Sequence, residues 1–207
     1  MRGGHYIEIN PFLYGLGPML REVLGEIRIL HLIRHPMTYI PSVLHFKPAG
    51  WRAWFVDMPV WNLNVAKAMK NRALNWSRLS DIERKAWQWV CVNQKIHSYQ
   101  SFSAGYLRIR FEDLFSDQDS EREDAVHRIF EFLELSPPAA LDKALFHKKI
   151  NPGPAPEKPS RPWDPKMIAS VLAICGETME KFGYPKNLKP ASLQETVQLP
   201  NRQAWTF

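Results

Sequence analysis

The sequence predicts an α/β fold, a parallel sheet covered by helices, and three observations carry that prediction. Two short stretches read as strands. "RILHLI" (28–33) is an apolar run broken only by His31, and "YLRIRF" (106–111) alternates as a strand should. Each is followed by apolar residues at helical spacing, and helix-start signals stand where those spacings begin. The resulting order is strand, helix, strand, helix, helices, strand, helix, which brings strands together in parallel with helices packed on them.

The elements follow in chain order. Residues 5–9 (His5, Tyr6, Ile7, Glu8, Ile9) read as a first short strand, closed by the turn-forming Asn10-Pro11. From Phe12 to Leu24, Leu13, Leu16, Leu20 and Leu24 recur at helical spacing, and Gly25 stands where a C-terminal cap would. After the strand 28–33, helical spacing resumes from Pro36. Pro41 lies inside that helix, where it removes one backbone hydrogen bond at a cost of about 3 kcal/mol.

Residues 47–79 are irregular and carry Trp51, Trp54, Trp61 and Trp76, half of the eight tryptophans, among basic residues. They suit an active-site lid and a tryptophan-anchored insertion equally. Ser80 with Glu83 predicts a capping box and a helix that turns Ile82, Ala86, Trp89, Val90 and Ile96 inward. Ser120 with Glu123 predicts a second box, followed by Val126, Ile129, Phe130 and Leu133 on one face. Six prolines between Asn151 and Pro165 make an extended loop. Asp164 and Pro165 then open a helix whose inward stripe is Ile168, Val171, Leu172, Cys175, Met179 and Phe182. With 207 residues, 45% of them hydrophobic, this makes one domain over 1–186 and an irregular tail over 187–207.

Composition narrows the function classes. The net charge of +6 suits an anionic partner such as a nucleotide, nucleic acid, sulfated glycan or membrane surface, and equally an ordinary solvated basic face. Cys91 and Cys175 are too few for a disulfide framework or a zinc site, and no metal site is expected. Each cysteine falls in a helical pattern, as a small buried thiol does. No apolar run reaches the ~18 residues of a membrane span, and no secretory leader is visible. The expectation is a soluble, cytoplasmic protein.

Chemistry concentrates where the strand 28–33 ends. Arg34 stands just past it, with Pro36 in the first turn of the following helix. A guanidinium offers bidentate hydrogen bonds to phosphate, and a helix start offers unpaired N–H groups and partial positive charge. His35 adds to this if protonated, and Ser42 supplies a hydroxyl two turns along. The competing reading is an arginine paired with a carboxylate at the sheet edge.

"ILHLIRHPMTYIPSVL" resembles the 3′-phosphate-binding segment of the sulfotransferases that use 3′-phosphoadenosine 5′-phosphosulfate (PAPS). In that family an apolar strand runs into Arg-x-Pro and a Ser follows eight residues after the Arg, as Arg34, Pro36 and Ser42 do here. "YLRIRFEDLFSDQDSEREDAVHRIFEFLEL" is similar to the family's strand, Glu-Asp-Leu and amphipathic helix, with Phe111 where the family often has Tyr. "SRPWDPKMIASVLAICGETMEKFGY" is similar to its C-terminal basic loop, helix and closing Gly-Tyr. "YIEINPFLYGLGPMLREVLGEIRILHL" resembles the segment leading into the phosphate strand. Together these cover about residues 5–184.

The resemblance implies a P-loop-like nucleotide-binding fold. It also implies transfer of a sulfuryl group from PAPS to an alcohol or amine of a small-molecule or glycan acceptor. By resemblance Arg34 and Ser42 hold the 3′-phosphate, and Arg161, with Lys158 beside it, reaches that phosphate from the other side. The family's 5′-phosphosulfate loop has no counterpart here, "MRGG" lacking both the preceding strand and the Ser/Thr. The chain therefore reads as an N-terminally truncated or degenerate member, with a hydrophobic sheet edge left exposed. Glu8 is the candidate catalytic base, against a capping or ion-pairing role, and His5, His31 and His45 rank below it. His31 reads better as a satisfied core histidine. A non-catalytic nucleotide-binding relative is the first alternative. A nucleic-acid or glycan binder using the Trp, Lys and Arg of 47–78 is the second.

Overall fold

The computed structural model describes residues 6–9, 13–45, 78–137 and 163–185. Within them the chain is mixed α/β. Strand β1 (Arg28–Ile33) pairs in parallel with β2 (Gly105–Arg110), in register from Arg28 opposite Gly105 to Ile33 opposite Arg110. The helices are α1 (Gly17–Leu24), α2 (Pro36–His45), α3 (Asp81–Ser98), α4 (Phe111–Leu114), α5 (Asp119–Phe132) and α6 (Pro165–Lys181). Parallel strands need a long crossover, and α2 and α3 lie in the connection from β1 to β2. No helix among the described residues is long and apolar enough to cross a membrane.

Two of the expected helix starts form as written. Ser80 Oγ accepts the N–H of Glu83 (3.3 Å) while Glu83 Oε2 accepts that of Ser80 (2.8 Å), closing the capping box at α3. Asp164 Oδ1 accepts the N–H of Met167 (2.8 Å) ahead of Pro165, so α6 begins where two signals coincide. The stripes these helices present then meet. Ala86, Trp89 and Val90 of α3 bury against Val171, Cys175 and Met179 of α6, with Ile33 of β1 and Met37 and Ile40 of α2 in the same core. Burial pushes the Cys175 thiol up to about 12, so it stays a neutral core group.

His31 is the satisfied core histidine its apolar surroundings suggested. It lies on the sheet face turned to α3 and α6, 2% exposed, with Nδ1 2.6 Å from the Tyr106 hydroxyl and Nε2 2.8 Å from Asn93 Oδ1. Asn93 donates its amide to the Trp89 carbonyl (2.7 Å), so its oxygen faces the imidazole and accepts from Nε2–H. Tyr106 then donates to Nδ1, and the ring is neutral. Burial pulls its pKa down to about 4, the Asn93 bond opposing and Arg108 and His97 adding to the fall.

Three expectations are corrected. Residues 6–9 have no regular structure and are exposed, because among the described residues no strand pairs with them. The second capping box does not form. Helix α5 starts at Asp119 after Gln118, which puts Ser120 inside it, and Ser116 Oγ takes the N–H of Gln118 instead (3.1 Å). Buried Arg122 reinforces that start, bonding Asp119 and the Ser116 carbonyl (2.8 Å). Strand β2 ends at Arg110, so Phe111 begins α4 rather than closing the strand.

Of the spaced leucines, Leu13 and Leu20 are half-buried while Leu16 and Leu24 are exposed, and within α1 only Gly17 is buried, where an added Cβ would meet the Tyr99 ring at 2.4 Å. Gly25 does cap that helix, with a φ of 80° and its N–H on the Arg21 carbonyl (2.9 Å). The apolar run of β1 likewise splits by face. His31 and Ile33 are buried, while Leu30 (38%) and Leu32 (47%) are exposed on the opposite face, where α5 packs on β2. Among the described residues the second edge of β1 has no partner.

Candidate functional site

Arg34 leaves the carboxyl end of β1 and α2 begins two residues later, with Pro36 already at a helical φ and no N–H to satisfy. The strand end is held from below, where the indole Nε1 of buried Trp89 donates to the Arg34 carbonyl (2.8 Å). The guanidinium is half-buried. Its Nε donates to Thr38 Oγ1 (3.1 Å), and its Cζ lies 4.6 Å from the centre of the Phe111 ring. Among the described residues no carboxylate lies within ion-pair distance of it. Burial lowers its pKa, and the nearby Glu112 charge opposes that fall.

The start of α2 is not the open cradle of N–H groups that its sequence suggested. His35 Nδ1 accepts the N–H of Met37 (3.2 Å), and the His35 carbonyl takes those of Thr38 (3.1 Å) and Tyr39 (2.9 Å). Glu112 Oε1 accepts the N–H of His35 itself (2.8 Å), which places a resident carboxylate against the positive end of the helix. Protonated His35 is corrected on the same grounds. Its Nδ1 is an acceptor, its ring is buried edge-on to Tyr184 at 5.0 Å, and burial lowers its pKa. Of the two guanidinium groups at this end of the sheet, Arg110 is paired with Asp113, and Arg34 has no carboxylate partner among the described residues.

Glu112 is in turn fixed by Tyr184, whose hydroxyl lies 2.8 Å from Glu112 Oε2 and 3.2 Å from the Ile33 carbonyl. Burial and the Glu112 carboxylate both raise the Tyr184 pKa, so the phenol keeps its proton. The segment after α6, the start of α4 and the end of β1 are thereby locked together around Arg34.

The other expected site residues fall as follows. Ser42 stands one turn beyond Thr38 on the same face of α2 and is exposed. Pro41 precedes it inside the helix without ending α2. Glu8 is exposed, accepts from the Tyr6 hydroxyl (2.9 Å) and has no described contact with the Arg34 end. Lys158, Arg161, His5, the side chain of His45 and the tryptophans of 47–78 lie outside the described residues. A cavity of about 320 Å³, lined by Arg21, Gly25, Glu26 and Phe102–Ala104, sits at the opposite, amino-terminal end of both strands, away from this chemistry.

Sequence reading missed Thr38, Phe111 as a ring beneath Arg34, and the Glu112–Tyr184 lock. Two signals were available for them. Thr38 is four residues past Arg34, one helical turn away. The parallel register that sets Ile33 beside Arg110 also sets the next residues of the two strands, Arg34 and Phe111, side by side. No family model, curated protein or solved structure matches this chain.

Proposed function

We propose that this chain is a sulfotransferase-type α/β domain that holds the 3′-phosphate of PAPS at Arg34. The observation that carries the reading is a half-buried arginine at the carboxyl end of a parallel strand, held by neutral groups and left without a carboxylate among the described residues. Ligands of parallel α/β sheets bind at that end of the strands. In a partly dehydrated setting a guanidinium bonds a phosphate strongly, because neither charge is well screened.

The reaction follows from the donor. The acceptor's oxygen or nitrogen attacks sulfur in line, the S–O bond to the 5′-phosphate breaks, and 3′,5′-phosphoadenosine leaves while a base takes the acceptor's proton. In this reading Glu8 is that base, Arg34 and Ser42 hold the 3′-phosphate, and Lys158 and Arg161, which precede α6 in the chain, are its further contacts.

The test is thermal. Saturating 3′,5′-phosphoadenosine should raise Tm by several degrees while 5′-AMP, which lacks the 3′-phosphate, does much less. Equal shifts, or none, overturn the reading. Transfer of labelled sulfate from PAPS across a panel of alcohols and amines then separates an enzyme from a nucleotide-binding relative. The exposed position of Glu8, with the Tyr6 hydroxyl as its described partner, favours keeping that second reading in view.

A further inference from the structure

Arg34 is held in one orientation by two neutral groups on different elements. Thr38 is buried, and its hydroxyl proton goes to the His35 carbonyl (3.0 Å), which leaves the oxygen free to accept from Arg34 Nε. Phe111 supports the guanidinium from one side and is itself stacked on Phe115, with centroids 4.3 Å apart and planes 27° apart. A guanidinium has two usable forks, one side-on through Nε and a terminal nitrogen and one end-on through both terminal nitrogens. With Nε engaged by Thr38, the end-on fork is the one left open.

Arg110 shows the other mode in the same molecule. Its Nε and Nη2 grip both oxygens of Asp113 at 2.9 and 2.7 Å, the side-on fork on a carboxylate. Thr38 denies that fork to anything approaching Arg34.

We propose that Thr38 and Phe111 are positioning residues that convert Arg34 into an end-on, two-pronged receptor for a terminal phosphomonoester. The proposal rests on the 3′-phosphate reading above and deepens it. The tetrahedral group presents a pair of oxygens to the terminal nitrogens, and the aromatic ring holds the guanidinium plane while it does so. Neither residue needs to touch the ligand. Their effect passes through Arg34, so it vanishes when residue 34 has no guanidinium.

The experiment is a coupling measurement by calorimetry with 3′,5′-phosphoadenosine. Thr38→Val keeps the shape of the side chain and removes its hydroxyl, Phe111→Leu keeps an apolar side chain and removes the ring, and each should weaken binding about 5- to 10-fold. The conservative variants Thr38→Ser and Phe111→Tyr should stay within about 2-fold of the parent chain. In an Arg34→Lys background, which keeps the charge and removes both Nε and the plane, Thr38→Val and Phe111→Leu should each change affinity by less than about 2-fold. Losses of equal size in both backgrounds overturn the proposal, as do no losses in either.

Failure of the nucleotide reading is separately visible. If the parent chain does not distinguish 3′,5′-phosphoadenosine from 5′-AMP, that reading falls. The clamp is then judged on nucleotide-free protein, from solvent exchange of the Arg34 Nε–H proton by NMR. Slow exchange that becomes fast in Thr38→Val supports the clamp, and fast exchange in the parent chain overturns it.

Discussion

Arg34 and Arg110 leave the same end of the sheet, one just past the register partner of the other, and are held in opposite ways. Arg110 finds Asp113 three residues on, in the first turn of α4, bonds it with two nitrogens, and sets a third 3.5 Å from the Gly183 carbonyl. That pairing raises its pKa. Arg34 precedes a first turn with no acidic residue, and the carboxylate whose charge acts on it, Glu112, spends its oxygens on the His35 N–H and the Tyr184 hydroxyl. Burial lowers its pKa instead. An arginine whose partner is built in from its own next turn is a fastening. An arginine kept half-buried, whose guanidinium meets only Thr38 and a ring among the described residues, has binding capacity left over.

The comparison breaks hardest if the platform under Arg34 is removed. Trp89→Ala deletes the largest fully buried side chain of the core and should cost about 3–5 kcal/mol in urea unfolding. Trp89→Phe isolates the part that concerns the site. It keeps most of the ring volume but strands the Arg34 carbonyl, for a loss of about 1–3 kcal/mol. A Trp89→Phe variant as stable as the parent chain would show that the strand end does not depend on the indole.

Acid tests the face beneath both strand ends, where His31 joins β1 to Tyr106 of β2 and to Asn93 of α3. The folded pKa of about 4 lies below the unfolded value of 6.5, so the unfolded chain binds the proton first. The contribution is therefore complete above about pH 6.5 and is lost as pH falls from there toward 4, reaching about 3 kcal/mol at the low end. His35 and His97, also depressed by burial, push in the same direction. An imidazole titration by NMR should find His31 unprotonated until about pH 4, and a midpoint near 6.5 would remove the claim.

The two arginines themselves come next. Arg34→Ala should weaken 3′,5′-phosphoadenosine binding about 10- to 100-fold, the scale of charge-assisted hydrogen bonds, and abolish the Tm difference from 5′-AMP. Arg110→Ala breaks an ion pair whose arginine side chain is 43% exposed, so it should cost under about 1 kcal/mol of stability and keep the nucleotide preference. If the two variants exchange these behaviours, Arg34 is the fastening and the reading of the site is inverted.

Much of this was legible in the residues, and the parts that were not have a common cause. The α3 and α6 starts, their inward stripes, the parallel pairing and the strand-to-Arg-to-Pro junction are local patterns, each written within about a dozen residues. What failed depended on distant partners. Whether 6–9 becomes a strand is decided by what lies across from it rather than by its alternation. The amides of α2 looked available because nothing in residues 34–45 announces that Glu112 takes the His35 N–H, and His35 itself reads as a cation before its ring is seen to accept from Met37. Thr38 and Phe111 escaped notice because a threonine in a helix and a phenylalanine after a strand read as ordinary packing until the register sets them against Arg34.

Ser42 gives the smallest effect and the sharpest question about how far the open end of Arg34 extends. Arg34, Thr38 and Ser42 are spaced by four, so Ser42 lies one turn further along the face that already holds the guanidinium. It is exposed, so Ser42→Ala should leave stability within about 0.5 kcal/mol. At this exposed position solvent screens the phosphate charge, so a hydroxyl bond to it is worth about 0.5–1.5 kcal/mol, which predicts a 2- to 10-fold loss of 3′,5′-phosphoadenosine affinity and no change for 5′-AMP. Unchanged affinity for both nucleotides would confine the phosphate to the first turn of α2, with Arg34 as the contact from this end of the sheet. A loss for both alike would place Ser42 against the part the two ligands share, and would turn the nucleotide end for end in the site.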